Sequence, residues 1–210
     1  MNVVQNDCAL CFVAIVDDVL TKIKYIIEQY ELMRSEQMVV FFMLACMPLR
    51  FDVEGTTAVM TGDLTSRSPD KVAQLLEDNP DLEWIELLDC PGSMDDQAAL
   101  KASRLIREAG INTRVPADGE IFSGAVDFFI AGVQREVVDG GIVGVHSWSD
   151  GSVEGSELPP EHSEHDLYED YYEDMGVSED FYWFTLNAAS SDDIHHMTRD
   201  ELVEYSLVTQ

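Results

Sequence analysis

The sequence predicts an α/β fold, and three observations carry that expectation. Short apolar segments alternate with stretches of helical periodicity. The helical stretches are bracketed by capping and stop signals such as Ser-Pro-Asp, Asn-Pro and Gly. Of the 210 residues 46% are apolar, enough for a sizeable core and too many for wholesale disorder.

Residues 1–50 read as an appendage and residues 51–210 as the main domain. In the appendage, Val19, Ile23, Ile26, Ile27 and Tyr30 recur at helical spacing through Asp17–Leu32, with Ile15 ahead of them. Such a stripe packs on the main body or on a partner subunit. The run Met38–Leu49 carries no charge but has only 12 residues, against about 20 for a bilayer-spanning helix, so no stable membrane span is expected. As written, the chain reads as cytoplasmic. A product begun near Met33, with Arg34 before the run and Ala45-Cys46 after it, would look like an export signal.

From Phe51 the pattern becomes regular. Arg50–Val53 and Thr57–Thr61 suggest two strands joined by a turn at Gly55. Ser68 as N-cap and Pro69 at the first helical position open a helix that Asn79-Pro80 ends. Trp84–Leu88 is a strand, Cys90-Pro91-Gly92-Ser93 a turn, and Asp95–Ala109 a helix closed by Gly110. Ile111–Val115 is a strand, Ala125–Ala131 a helix, and Val137-Val138 and Ile142–Val145 two more strands. Ser149–Glu164, rich in Gly, Ser, Pro and Glu, reads as a loop. Asp166–Met175 is helical with Tyr168, Tyr171 and Tyr172 on it, and Phe181–Phe184 adds an aromatic cluster suited to a core, an interface or the wall of a binding site. Thr198 and Glu201 form a capping signature before Leu202–Tyr205, and Leu207–Thr209 reads as a closing strand.

Composition excludes several partners. Forty-one acidic residues against 12 basic ones leave a formal charge of −29, so nucleic acid and anionic membranes would be met by repulsion. With only four lysines, the balance reads as tolerance of salty surroundings, where self-repulsion is screened. Cys8, Cys11, Cys46 and Cys90 are too few and scattered for a disulfide scaffold, and Cys8-Ala-Leu-Cys11 lacks the second pair of a zinc ribbon. No phosphate-cradling glycine loop occurs, and His162, His165, His195 and His196 lack the fixed flanks a metal centre needs; neither cofactor nor metal is expected.

Two residues suit nucleophilic chemistry. Ser123 precedes Gly124 at a strand-to-helix turn, where backbone N–H groups can stabilise an oxyanion. His146 ends a strand and could supply the base that a serine hydroxyl requires. On the residues alone, an N-capping serine and a satisfied structural histidine explain both placements better.

The order of motifs goes further. Thr61-Gly62-Asp63-Leu64, Leu88-Asp89-Cys90-Pro91-Gly92-Ser93, Ile121-Phe122-Ser123-Gly124-Ala125 and Ile142-Val143-Gly144-Val145-His146 together resemble the Clp-type serine proteases of the crotonase-like superfamily, the periplasmic Clp-like branch above all. That resemblance covers Phe51 to Gln210 and implies a fold of repeated ββα units. It also implies a peptidase or esterase with Ser123 as nucleophile and His146, 23 residues on, as general base. Gly92 and Gly124 would offer the oxyanion N–H groups. The third member falls on Asp192, with Asp193 beside it as the alternative. Cys90 and Ser93 depart from the family's turn, which has serine and often a second glycine there. Peptide or ester substrates and self-association are further implications. The rival readings are an acyl-thioester enzyme of the crotonase branch, which the scarcity of basic residues disfavours, and a non-catalytic assembly subunit.

Overall fold

The computed structural model describes residues 47–209. The predicted helix over Asp17–Leu32, the Cys8–Cys11 pair, Cys46 and most of the Met38–Leu49 run lie outside the described residues.

Two antiparallel strands open the domain: β1 (Arg50–Glu54) and β2 (Thr57–Thr61). Helix α1 (Ser68–Asp78) leads to β3 (Trp84–Cys90), and α2 (Asp96–Glu108) to β4 (Asn112–Val115). Next come β5 (Glu120–Phe122), α3 (Gly124–Ile130), β6 (Arg135–Val137) and β7 (Ile142–Val145). A single 3₁₀ turn at Gly155–Glu157 is followed by α4 (Asp166–Asp174), α5 (Glu179–Ala188), β8 (His195–His196) and α6 (Arg199–Glu204).

The topology explains where a site can form. β2, β3, β4 and β6 run parallel, but β3 divides its partners. Its first half, Trp84–Glu86, pairs with β4, whereas Asp89 and Cys90 pair with β5, which continues through β7 to antiparallel β8. Ligand sites in parallel α/β sheets gather outside the carboxyl ends of strands where neighbours part. Here the ends of β3, β5 and β7 converge on that fork.

Helices α1, α2 and α3 pack in succession against one another. α2 buries Ala99, Leu100, Ala102 and Ile106, the 3.6-residue face its sequence predicts, and Asp95 caps it by accepting from Ala98 N at 3.0 Å. All seven residues of α3 are buried, Asp127 among them. The buried Arg135 guanidinium, at the start of β6, donates to the carbonyls of Leu207, Ser206 and Ile130, which anchors the chain after α6.

Three local expectations change. Arg67, not Ser68, is the cap of α1; the Ser68 hydroxyl turns back to accept from Thr65 N at 2.8 Å and stabilises the preceding turn instead. Leu207–Thr209 forms no strand, because Ser206 turns at φ 58° and leaves Thr209 N to Arg135 O, at 3.0 Å, as the one backbone–backbone bond to β6 among the described residues. The 149–164 loop contains the one 3₁₀ turn, where Gly155 passes beneath the Trp148 indole with no room for a Cβ.

Candidate active site

Ser123 joins β5 to α3 with φ 53° and ψ −131°, a conformation that L residues rarely adopt and that costs about 1–3 kcal/mol. Tertiary contacts impose it. Ser123 N donates to Gly144 O of β7 at 3.0 Å, while Ser123 O accepts from Val126 N at 2.8 Å, so the residue is held on both sides. Gly124 follows because a Cβ there would lie 2.6 Å from Ser93 Cβ. The result is a sharp elbow of the kind that lifts a serine hydroxyl out of a strand-to-helix turn. Ser123 Oγ makes no hydrogen bond among the described residues.

Gly92 stands opposite. Its φ of 148° is open mainly to glycine, and a Cβ there would come 3.1 Å from Ser123 Cβ. The N–H groups of Gly92 and Gly124 make no hydrogen bonds among the described residues, so both remain available as donors. Ser93 braces the turn with its hydroxyl on Asp96 Oδ1. Cys90, one residue before the Pro91-Gly92 turn, is buried; burial pushes its thiol up to about 12, so it is not the nucleophile at this junction.

His146 follows β7. Its Nδ1 lies 2.7 Å from Ser147 O, and since a carbonyl can only accept, Nδ1 carries the proton and Nε2 is left as the acceptor. That is the tautomer a general base requires. Ser123 and His146 line one pocket without a hydrogen bond between them; such bonds are often long before substrate seats.

Asp192 and Asp193 are exposed, and neither is hydrogen-bonded to His146; Asp193 Oδ1 accepts from Ile194 N. Their turn nonetheless reaches the site indirectly. Ser191 N and Oγ donate to Glu154 Oε1 at 3.1 and 2.7 Å, and these bonds hold the Glu154 carboxyl below the usual range, with a smaller contribution from the charge of His146. Glu154 is therefore one carboxylate whose charge is felt by a protonated His146. Its only sequence signal is the Glu154-x-x-Glu157 pair, which forms the capping box of the 3₁₀ turn.

The pocket has a cavity volume of about 40 Å³, room for a few waters, and its floor escaped the sequence reading. Asp127 accepts from Tyr172 Oη at 2.6 Å through Oδ1, and Asp96 Oδ2 accepts from Tyr168 Oη at 2.6 Å. Burial, against the pull of the Tyr172 bond, pushes the Asp127 carboxyl up to about 7. Trp148 and Tyr182 complete the wall, joined by an Nε1 to Oη bond of 3.0 Å, and Tyr168 stacks on both rings. The aromatic cluster thus serves as core and pocket wall together. A single aspartate inside the otherwise apolar Gly124–Ile130 helix was the available signal, since an uncompensated acid in such a run needs a purpose.

Other candidates fall elsewhere. The two lysines among the described residues do not line the pocket: Lys71 Nζ donates to Leu49 O at 2.5 Å, and Lys101 is exposed on α2. His165 is buried with Nδ1 2.6 Å from Tyr182 Oη, and His195 pairs with Glu201 at 3.0 Å. Among the described residues no group of three His, Cys, Asp or Glu side chains is arranged to hold a metal, and no helix is long and apolar enough to cross a membrane.

No family model matches the chain, and no curated protein matches it. Solved structures do. The chain is similar to the 1510-N membrane-bound stomatin-specific protease, in a lysine-to-alanine variant bound to a substrate peptide, at 17% identity and a TM-score of 0.51, over 73% of this chain and 72% of that one. A serine-to-alanine variant of the same protease aligns at 17% identity and TM-score 0.51 over 73% and 76%. At this identity the likeness concerns the fold: the domain has the Clp- and crotonase-like α/β architecture.

Proposed function

We propose that the chain is a serine peptidase in which Ser123 is the nucleophile and His146 the general base. The observation that carries this reading is the strained Ser123 elbow, set between two unengaged N–H groups and sharing a pocket with a histidine whose Nε2 is left to accept a proton. In the first step Ser123 Oγ attacks the scissile carbonyl carbon as its proton passes to His146 Nε2. The carbonyl becomes an oxyanion held by Gly92 N–H and Gly124 N–H. Collapse breaks the C–N bond, and the imidazolium returns the proton to the leaving amine. Water then repeats the sequence on the acyl-Ser123 ester, releasing the acid and restoring both side chains.

The 1510-N variants replace a lysine and a serine. With no lysine at this pocket among the described residues, histidine takes the base role here. Ser147 O orients His146, Glu154 supplies the negative charge, and Asp192, on the turn that Ser191 ties to Glu154, is the outer member. Comparing Asp192→Asn with Glu154→Gln divides this support: a large fall in kcat at Asp192 alone would make it the triad acid.

Fluorophosphonate treatment followed by intact-mass spectrometry tests the core of the reading. One adduct is expected, and Ser123→Ala should abolish it. Labelling that survives in Ser123→Ala, or none on folded wild type, would overturn the assignment.

A further inference from the structure

Asp127 lies on α3, the helix that Ser123 precedes. Both line the same pocket. Asp127 is 91% buried, and its Oδ1 is satisfied by Tyr172, but its Oδ2 has no hydrogen-bond partner among the described residues. In the neighbouring Asp96 each oxygen already accepts a bond, from Ser93 or from Tyr168. No arginine or lysine lines the pocket among the described residues, and the walls are the faces and edges of Trp148, Tyr168, Tyr172 and Tyr182. A buried carboxylate with one free oxygen and no counter-charge, enclosed by aromatic rings, is a receptor for a cation; rings and carboxylate act on it together.

We propose that Asp127 is a specificity-determining residue and that this pocket takes the charged end of the basic side chain, lysine or arginine, of the residue preceding the scissile bond. The inference rests on the peptidase reading above and deepens it. With Ser123 and Asp127 lining the same pocket, a side chain that enters beside the nucleophile meets the acid. Its ammonium would meet Asp127 Oδ2, which burial otherwise biases toward the protonated form, so the bound cation restores the carboxylate to its charged state. The chain's net charge of −29 adds long-range attraction for cationic peptides and repels acidic ones.

The test uses peptide coumarin amides that differ only in Lys, Arg, Leu or Glu before the coumarin, assayed at pH 8 on the full chain. The kcat/KM for Lys or Arg should exceed that for Leu by about tenfold or more, with Glu lowest, and Asp127→Asn should bring the basic and Leu substrates within about twofold. Comparing Lys with Arg identifies the source of the cation. A second arm needs no catalysis: calorimetry of a peptide with a free-side-chain lysine amide at its C-terminus and an acetylated α-amino group, binding to Ser123→Ala and to the same variant carrying Asp127→Asn. Binding lost on adding Asp127→Asn supports the proposal even if no substrate is cleaved, so failure of the peptidase reading remains separable. Should Asp127→Asn fail to fold, the wild-type Lys-to-Leu ratio and the binding of the lysine peptide over its leucine counterpart to Ser123→Ala decide alone. A leucine preference in either arm, or binding unaffected by Asp127→Asn, would overturn it.

Discussion

Two serines hold a positive φ, and they do so for different reasons. Ser206, at φ 58°, sits just past the end of α6, where Leu207 N donates to Leu202 O at 2.9 Å and Ser206 N to Val203 O at 3.0 Å. That is the Schellman arrangement, a local helix stop in which glycine would serve better. Ser123, at φ 53°, ends no helix; it precedes one, and contacts from Gly144 and the Gly92-Ser93 turn hold it there. One strain comes from local geometry that glycine would relieve at no loss. The other is over-determined by distant segments that meet at a pocket, which is the form strain takes when it positions a reactive group.

The largest effect should come from Ser123→Ala, which keeps the elbow and removes the hydroxyl. Peptide hydrolysis should fall by about 10⁴-fold or more, as for loss of a triad member, while the melting temperature stays near wild type. A comparable fall from a Ser206 substitution would break the contrast between the two sites.

Next in size is Asp127, in the helix that Ser123 precedes. Its folded pKa of about 7 lies above the ordinary carboxylate value, so between pH 4 and 7 the folded chain keeps a proton that the unfolded chain has lost. This stabilising contribution is present below about pH 4 and is lost as pH rises through 7. At about 1.4 kcal/mol per pH unit it amounts to a few kcal/mol. Asp127→Asn should flatten that fall, read as the variant-minus-wild-type difference in melting temperature at pH 5 and pH 8; an unchanged difference would show that Asp127 titrates normally.

Gly124→Ala should follow. The added methyl group meets Ser93, and overpacking of this kind costs about 1–3 kcal/mol while pushing the Gly92 turn off its position, so stability and hydrolysis should fall together. The smallest effect is a gain. Ser206→Gly should raise stability by up to about 1 kcal/mol in urea denaturation and leave hydrolysis untouched.

The contrast also marks what the sequence could express. Most strands and helices were legible because their signals are local: the Thr198/Glu201 capping box, the Asp95 cap and the alternation in Thr57–Thr61 all lie within a few residues. Ser123, Gly124 and His146 were named together by the order of motifs, and these three line one pocket, with Gly92 across the turn from Ser123. The floor was not, because Tyr168 to Asp96 and Tyr172 to Asp127 bridge 72 and 45 residues and follow no period. The tie between the Asp192 turn and Glu154 was hidden for the same reason, since Glu154 reaches Ser191 across 37 residues. Ser68 misled because Ser-Pro at a helix start fits two hydrogen-bond patterns equally well.

Arg135 has a consequence for synthesis. Its guanidinium and backbone are matched by acceptors at Ser206, Leu207 and Thr209, more than 70 residues later in the chain. At about 5–20 residues per second the ribosome leaves that buried cation without those partners for several seconds. The β6 edge should therefore be the last part of the domain to set. Nascent chains halted near residue 200 should be cut by protease around β6, whereas chains extended far enough for Thr209 to clear the exit tunnel should resist; equal resistance in both would mean that the edge closes without its tail.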